Sequence, residues 1–422
     1  MSTVPHLVEV VAPRRFGRGF RWLLASSWVS NLGDGIALAA GPLLVASMTH
    51  DPFVVALGAL LQWLPPLAFG LLAGALSDRL DRRRIVVTVD LLRAAVLVLL
   101  GATVATGTAT IALVLLAMFL LGTAEVFADN TTSTLMPMLV HRDDLAIANS
   151  RLMTGFITVN QLLGPPIGAA LFAVGHAVPF SAQAALVALG AVLVSRVVLP
   201  PHRRERSPET HLRHALFGDV TEAFRWVLHH AAVRTLVLTI FTFNITFGAA
   251  WSVLVLYATQ RLGLGPVGFG LLTTIGALGG LLGTLSYGWI THRVSLGDIM
   301  RIGLVVETFT HLALAVTRTA WVALVIFFVF GAHAFIWGTT SMTVRQRAVP
   351  TELQGRVGSV NLVGTYGGLV IGSLLGGALA QRWGVTAPFR FAFAGSAVFV
   401  VLIWGQLAHI AHADEADAPA PA

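Results

Sequence analysis

Long apolar segments separated by short polar ones occupy most of the chain. Each is at least as long as the about 20 residues that a helix needs to cross a bilayer. The segments are residues 22–47, 53–76, 85–107, 110–138, 146–173, 178–198, 233–257, 266–290, 298–317, 319–344, 355–381 and 388–408. The sequence therefore predicts an all-α integral membrane protein with twelve transmembrane helices, numbered in that order.

Composition excludes a soluble protein. Hydrophobic residues make up 56% of the chain and charged residues 11%, with a mean hydropathy of +0.80. Soluble domains carry roughly 25% charged residues. The net charge is +7, but the 27 basic residues are all arginines and lie scattered through short loops. We therefore expect no nucleic-acid partner, and the absence of cysteine excludes disulfides and thiol chemistry.

The distribution of arginine predicts the topology. Arg93 lies within an apolar segment, and four others fall at predicted external loops, which leaves 22 of the 27 arginines on the cytoplasmic side. Cytoplasmic loops are enriched in basic residues. We predict a multi-pass protein of the inner or plasma membrane with both termini in the cytoplasm. The four external arginines are Arg261, Arg318, Arg382 and Arg390.

Three segments lie outside the apolar runs. Residues 1–21 are polar, lack a cleavable signal and are predicted to form a cytoplasmic tail. Residues 199–232 form a linker, and residues 409–422 a tail that we expect to be disordered. Apolar linker residues at helical spacing predict an amphipathic helix on the cytoplasmic membrane surface. They are Leu212, Leu216, Val220, Phe224 and Val227.

The two halves of the chain resemble each other. Residues 164–171 match residues 372–379 at an offset of 208, which also relates Leu145 to Leu353. Residues 74–77 match residues 283–286 at an offset of 209. All three matches place helix n on helix n+6. We predict two six-helix bundles, residues 22–198 and 233–408, related by a parallel pseudo-twofold repeat.

A charged segment separates the second and third apolar runs. Its pattern Gly74-x-x-x-Asp78-Arg79-x-x-Arg82-Arg83 resembles the signature loop of the major facilitator superfamily, with Asp81 where glycine is usual. A cluster of arginines that only fixes topology is the alternative. Leu135-Met136-Pro137 and Val349-Pro350-x-Glu352-Leu353-x-Gly355-Arg356 resemble a branch that includes enterobactin exporters and macrolide efflux proteins.

The resemblance implies two functional elements. One is a conformational latch between the charged loop and the start of helix 11, with Asp129 pairing with the loop arginines. The other is Gly164-Pro165-x-x-Gly168, which is similar to the antiporter motif of drug exporters, although Asn160 and Ala169 replace the usual glycines. The latch residues are Gly74, Asp78, Arg79, Arg82, Arg83, Asp129 and Arg356.

No catalytic triad, phosphate-binding loop or metal-ligand cluster is evident in the sequence, so we expect no enzyme, metal or cofactor. Function is then expected in polar residues within the apolar runs, since burying a charge there costs roughly 2.5–3.5 kcal/mol. The proton-coupling or substrate-cavity candidates are Asn31, Asp34, Glu125, Glu307, His311 and His333.

Spacing suggests how some of these residues interact. Asp34 is near the middle of helix 1 and is expected to face a water-filled cavity. Asp90 and Arg93 are three apart on helix 3 and are expected to pair. Glu307 and His311 are four apart and share a face of helix 9, where a proton relay and a structural hydrogen bond remain alternatives.

These features favour a proton-coupled exporter of a small hydrophobic compound, such as an antibiotic, siderophore or secondary metabolite, acting by alternating access as a monomer. A carboxylate removed from water holds a proton more readily, so a proton gradient can supply the energy. Uptake of a nutrient and a non-transporting membrane sensor are the alternatives.

Overall fold

The computed structural model describes residues 14–199 and 222–407, apart from the side chains of Arg14, Ala75, Asp78 and Arg79. This part of the chain is helical and contains no strand. Eleven of its helices are long and apolar enough to span a membrane, and a further apolar helix, Ala387–Ile403, has 17 residues. The protein is therefore an all-helical, multi-pass membrane protein.

The helices follow the predicted segments in order. They are α1 (Gly17–Met48), α2 (Pro52–Arg79), α3 (Arg82–Ala105), α4 (Ile111–Leu135), α5 (Leu145–Gly155, Phe156–Leu163 and Gly164–Val174), α6 (Val178–Ser195), α7 (Ala231–Trp251), α8 (Pro266–Thr291), α9 (Leu296–Val316), α10 (Ala320–Ala348), α11 (Gln354–Trp383) and α12 (Ala387–Ile403).

The loop between α2 and α3 is shorter than the charged sequence suggests. Helix α2 continues to Arg79, so only Leu80 and Asp81 separate it from α3. The Asp81 carboxylate accepts a hydrogen bond of 3.1 Å from the Arg84 backbone N–H and caps α3. A capping carboxylate satisfies a backbone donor that has no partner within the helix. The residue that departs from the superfamily pattern therefore stabilises the turn.

The described residues fold into two compact units. The first holds residues 14–49, 68–199 and 266–274, and the second holds residues 50–67, 222–265 and 275–407. The beginning of α2 thus belongs to the second unit, and the beginning of α8 belongs to the first.

The helices pair in the same pattern within each unit. In the first unit α1 packs on α5 and α6, and α3 packs on α4 and α6. In the second unit α7 packs on α11 and α12, and α9 packs on α10 and α12. Short 3₁₀ turns, Arg142–Asp144 and Thr351–Leu353, precede α5 and α11.

Glycines bring the first and fifth helices of each unit close together. A side chain at Gly168 in α5 would overlap the Ile36 carbonyl of α1. A side chain at Gly376, 208 residues later in α11, would overlap the Ala249 carbonyl of α7. Only glycine allows two helix backbones to approach this closely.

The linker is described only from residue 222, and its residues 222–229 are helical and belong to the second unit. Ala223 and Val227 are buried in an apolar cluster with valines of α11 and the loop before it. Two positions of the predicted apolar face are described. Val227 packs on protein, whereas Phe224 is 54% exposed. The other predicted apolar positions, Leu212, Leu216 and Val220, lie outside the described residues, as do residues 1–13 and 408–422 of the predicted tails.

Candidate functional site

A buried arginine joins α1 and α3 in the first unit. Arg93 Nη1 lies 3.2 Å from Asp90 Oδ1, which is the pair that the spacing predicts. Arg93 Nη2 forms a second, shorter ion pair with Asp34 Oδ1 of α1. The side chains of Arg93 and Asp34 are 3% and 11% exposed. Asp34, expected to face a water-filled cavity, is therefore neutralised by a guanidinium from another helix.

Helix α4 adds two further carboxylates. Glu125 and Asp129 are one turn apart on α4, and both act electrostatically on the Arg93 guanidinium. Glu125 is half-buried and Asp129 is exposed. Three helices thus direct acidic side chains towards the same arginine. We call Asp34, Asp90, Arg93, Glu125 and Asp129 the carboxylate cluster.

The carboxylate cluster has an excess of negative charge. Among the described residues it contains four carboxylates and one guanidinium, so full ionisation would leave three uncompensated negative charges. Arg93 itself is buried, and its Nε has no hydrogen-bond partner among the described residues. Carboxylates that share one guanidinium disfavour one another's charged forms. The cluster can therefore hold protons or a cationic group.

The antiporter-like motif of α5 packs against α1 next to Asp34. Gly164 of α5 lies against the backbone of Gly35, so a side chain on either glycine would overlap the other helix. The buried Asn160 amide donates to the Asn31 carbonyl at 3.2 Å. The side chain of Asn31 bonds within its own helix, to the Ser27 carbonyl at 2.8 Å. The motif therefore fixes the position of the helix that carries Asp34.

Helix α5 widens beside this contact. Residues Phe156–Leu163 form a π-helical segment immediately before Pro165 and Pro166. Prolines have no backbone N–H, so the carbonyls one turn earlier lose their helical donors. One of these, Leu162 O, accepts a hydrogen bond of 3.4 Å from Thr274 at the beginning of α8. π-Helical segments often occur at functional sites.

A second polar group lies in the second unit. Glu307 Oε1 is 4.0 Å from His311 Nε2 on α9, as the spacing predicts, and Glu307 Oε2 is 3.7 Å from His333 Nε2 on α10. His311 is fully buried and His333 is 9% exposed. The structure therefore unites Glu307, His311 and His333, which we call the glutamate–histidine cluster.

Three of the predicted latch arginines have partners in the described part of the structure. Arg82 Nε donates to the Ser77 carbonyl at 3.1 Å, and Arg83 Nη1 donates to the Val197 carbonyl at 3.1 Å. Arg356 Nη1 lies 2.9 Å from Glu222 Oε2 of the linker. A Cβ atom added at Gly74 would meet no atom of the described residues within 4 Å. The side chains of Asp78 and Arg79 lie outside the described part of the structure.

Sequence reasoning missed three of these contacts. The Asp34–Arg93 and Glu307–His333 pairs join different helices, and helical spacing identifies pairs only within one helix. The contact of Arg356 with Glu222 was missed because Glu222 belongs to the linker. A charge within an apolar run was the signal that could have connected Arg93 to Asp34, since such a charge needs a partner.

Comparisons with known proteins agree with this architecture. A family model described as transmembrane secretion effector matches residues 10–421. The enterobactin exporter EntS of Salmonella typhimurium is 25% identical over 92% of each chain. The multidrug efflux pump Tap of Mycolicibacterium fortuitum is 26% identical over 87% of this chain and 90% of its own.

Solved transporters share the fold at low sequence identity. The nucleoside transporter NupG matches with a TM-score of 0.74 and 13% identity, covering 92% of this chain and 99% of that protein. A bacterial homologue of the iron transporter ferroportin matches with a TM-score of 0.69 and 18% identity, covering 93% of this chain and 98% of that protein. These two matches concern the fold alone.

Proposed function

Because this chain belongs to the transmembrane secretion effector family of the major facilitator superfamily, we propose that it is a proton-coupled exporter of a small hydrophobic compound. Export is supported by its similarity to an enterobactin exporter and a multidrug efflux pump. The compound would be an antibiotic, a siderophore or a secondary metabolite. The protein would act by alternating access in the cell membrane, as a monomer, with both termini cytoplasmic.

The observation that carries proton coupling is the excess negative charge of the carboxylate cluster. Arg93 forms ion pairs with both Asp34 and Asp90, while Glu125 and Asp129 lie within its electrostatic reach. A proton that arrives at Asp34 weakens its hold on Arg93, which then interacts more strongly with the remaining carboxylates. Proton binding thereby alters a contact between α1 and α3. That contact can bias a conformational equilibrium by as much as its two states differ in free energy.

The packing of Gly164 and Gly168 against α1 transmits this change to α5. Both glycines contact α1 at the residues that follow Asp34, so a shift of Asp34 also shifts the α1–α5 contact. We assign the antiporter-like motif this mechanical role.

Twelve transmembrane helices in a parallel six-plus-six repeat complete the proposal. The equal helix pairings and the matching glycines support the repeat. Another correspondence adds to it, because Asp298 and Arg301 of α9 lie 208 residues after Asp90 and Arg93 and form the same ion pair at 3.2 Å. The latch role of the α2–α3 turn rests on the resemblance to the superfamily.

The test measures accumulation of three compounds in bacteria that lack their own efflux pumps: uncharged chloramphenicol, anionic novobiocin and cationic ethidium. We expect the protein to lower the accumulation of at least one compound, and an uncoupler to abolish that effect. Asp34→Asn should abolish it as well, at equal protein levels in the membrane. Asp298→Asn is the matched control, because it removes a carboxylate whose side chain is 53% exposed.

Three results would count against the proposal. Higher accumulation in expressing cells would indicate uptake. Export that survives the uncoupler would exclude proton coupling, and full export by Asp34→Asn would remove Asp34 from the mechanism.

A further inference from the structure

Aromatic rings of α7 and α10 gather around Trp251 in the second unit. The Trp251 ring stacks on Phe247, one turn earlier on α7, with 4.3 Å between centroids. Phe330 of α10 lies 4.7 Å from Trp251, and Phe327 lies 5.6 Å from it. Phe247, Trp251 and Phe330 are half-buried, so part of each residue is accessible. We call Phe247, Trp251, Phe327 and Phe330 the aromatic cluster.

The glutamate–histidine cluster adjoins these rings on two sides. The His311 ring meets Trp251 edge-on at 6.1 Å, with an interplanar angle of 85°. The His333 ring meets Phe330 edge-on at 6.0 Å. Glu307 lies 4.0 Å or less from both imidazoles. Each imidazole therefore adjoins both the Glu307 carboxylate and a ring of the aromatic cluster.

Buried polar atoms in this region lack partners. Neither ring nitrogen of His311 has a hydrogen-bond partner among the described residues, although both nitrogens are buried. The indole N–H of Trp337, one turn after His333, is buried and without a partner in the same part of the chain. Buried polar atoms are normally hydrogen-bonded, and an exception calls for an explanation such as a bound group.

The charge of this region differs from that of the carboxylate cluster. The acids of the first unit share the guanidinium of Arg93, whereas the basic groups within 4.0 Å of Glu307 in the described structure are two imidazoles. An imidazole is charged only when protonated. With neutral histidines, Glu307 is a negative charge beside aromatic faces. Those two features together recognise an organic cation, through ion pairing and cation–π attraction.

We propose that Glu307 and the aromatic cluster bind monovalent organic cations that carry an aromatic ring, and that a proton on His333 competes with them. The inference rests on the proposed function, because it names a class of compound that the exporter would carry. The aromatic part of the compound stacks on Trp251 and Phe330, and its charge faces Glu307. A protonated histidine neutralises Glu307 and weakens binding of the cation.

Other charges of the packed helices lie away from this region in sequence. The remaining charged residues of α7, α9, α10, α11 and α12 lie within the first or last two turns of their helices, and α8 carries no charged residue, so the competition involves the glutamate–histidine cluster. The charged residues near the helix ends are Arg234, Asp298, Arg301, Arg345, Arg347, Arg356, Arg382 and Arg390.

The test is equilibrium binding of ethidium to the full-length protein in a non-ionic detergent, followed by fluorescence anisotropy from pH 8 to pH 6. Phenanthridine, the uncharged parent ring system, is the comparison probe. We expect ethidium to bind at pH 8 and its affinity to fall as the pH is lowered to 6, with a steepness of at most about tenfold per pH unit, the limit for one competing proton. Phenanthridine should bind more weakly and with little dependence on pH.

Variants distinguish the contribution of the Glu307 charge from that of the aromatic contacts. Glu307→Gln should weaken ethidium binding at least about tenfold at pH 8, and His333→Gln should reduce the dependence on pH. Trp251→Ala should weaken binding about three- to thirtyfold, the range of one cation–π contact, whereas Trp251→Phe should retain most of it. Asp298→Asn, on the same helix as Glu307, is the matched control and should bind ethidium as the unaltered protein does.

The proposal is overturned if ethidium does not bind, or if Glu307→Gln binds it with unchanged affinity. Equal affinities at pH 8 and pH 6 would overturn the competition. If ethidium fails to bind while chloramphenicol or novobiocin is exported in an Asp34-dependent way, the site alone is wrong. If ethidium binds as expected while none of the three compounds is exported, the proposed function is wrong.

Discussion

Replacing Arg93 by glutamine tests whether one guanidinium compensates the carboxylate cluster. The change keeps a polar side chain but removes the positive charge that pairs with Asp34 and Asp90. Arg93, Asp90 and Asp34 are 3%, 4% and 11% exposed, so water cannot replace the lost partner well. Removing one member of a buried ion pair costs about 3–5 kcal/mol, and we expect Arg93→Gln to lose that much of the free energy of unfolding.

The second unit provides a matched control. Arg301 forms an ion pair of the same 3.2 Å length with Asp298, also three residues apart, but these side chains are 26% and 53% exposed. Exposed ion pairs contribute about 0–1 kcal/mol. Arg301→Gln should therefore lose much less stability than Arg93→Gln, although the two substitutions are chemically identical.

A double variant tests the compensation directly. Without Arg93, the Asp34 carboxylate is an additional uncompensated charge, so Asp34→Asn should recover at least about 1 kcal/mol of the loss caused by Arg93→Gln. Stability is measured by SDS titration of the purified protein in mixed micelles, followed by tryptophan fluorescence. Equal losses in Arg93→Gln and Arg301→Gln would refute the reasoning, as would a double variant whose loss equals the sum of the single losses.

Two further predictions concern packing and capping, and both use the same titration. Gly168→Val should destabilise the protein by about 1–3 kcal/mol, because its side chain meets the Ile36 carbonyl, whereas Gly288→Val meets nothing within 4 Å and should cost less. Similar losses at the two glycines would contradict the close α1–α5 contact. Asp81→Ala should cost about 0.5–2 kcal/mol through loss of the α3 cap, and Asp81→Gly only a few tenths. An Asp81→Ala loss well below about 0.5 kcal/mol would contradict a stabilising cap.

The apolar pattern was sufficient to predict the helices, because a membrane helix must satisfy its backbone hydrogen bonds internally over a fixed length. The main error concerned the segment Gly74–Arg84. Its charges suggested a loop, yet α2 extends to Arg79 and α3 begins at Arg82. Arginine is a good helix former, and the Asp81 cap starts the next helix at once.

The candidate site was predictable only within single helices. Helical spacing predicted the Asp90–Arg93 pair and the proximity of Glu307 to His311, since residues three or four apart share a face. It could not predict that Arg93 reaches Asp34 or that His333 reaches Glu307, because those contacts depend on how α1 packs near α3 and how α9 packs on α10. The offset of 208 residues relates the Asp90–Arg93 pair to the Asp298–Arg301 pair, and each of these again lies within one helix.

Proton exchange by the carboxylate cluster is tested most directly in proteoliposomes that contain the purified protein and a pH-sensitive dye. An outward gradient of whichever probe compound the cells export is imposed with no other energy source, and the internal pH is recorded. The account predicts that efflux of the compound drives protons inwards and acidifies the lumen, and that Asp34→Asn abolishes this acidification whereas Asp298→Asn does not. Efflux of the compound with no change in internal pH, or equal acidification by Asp34→Asn, would contradict it.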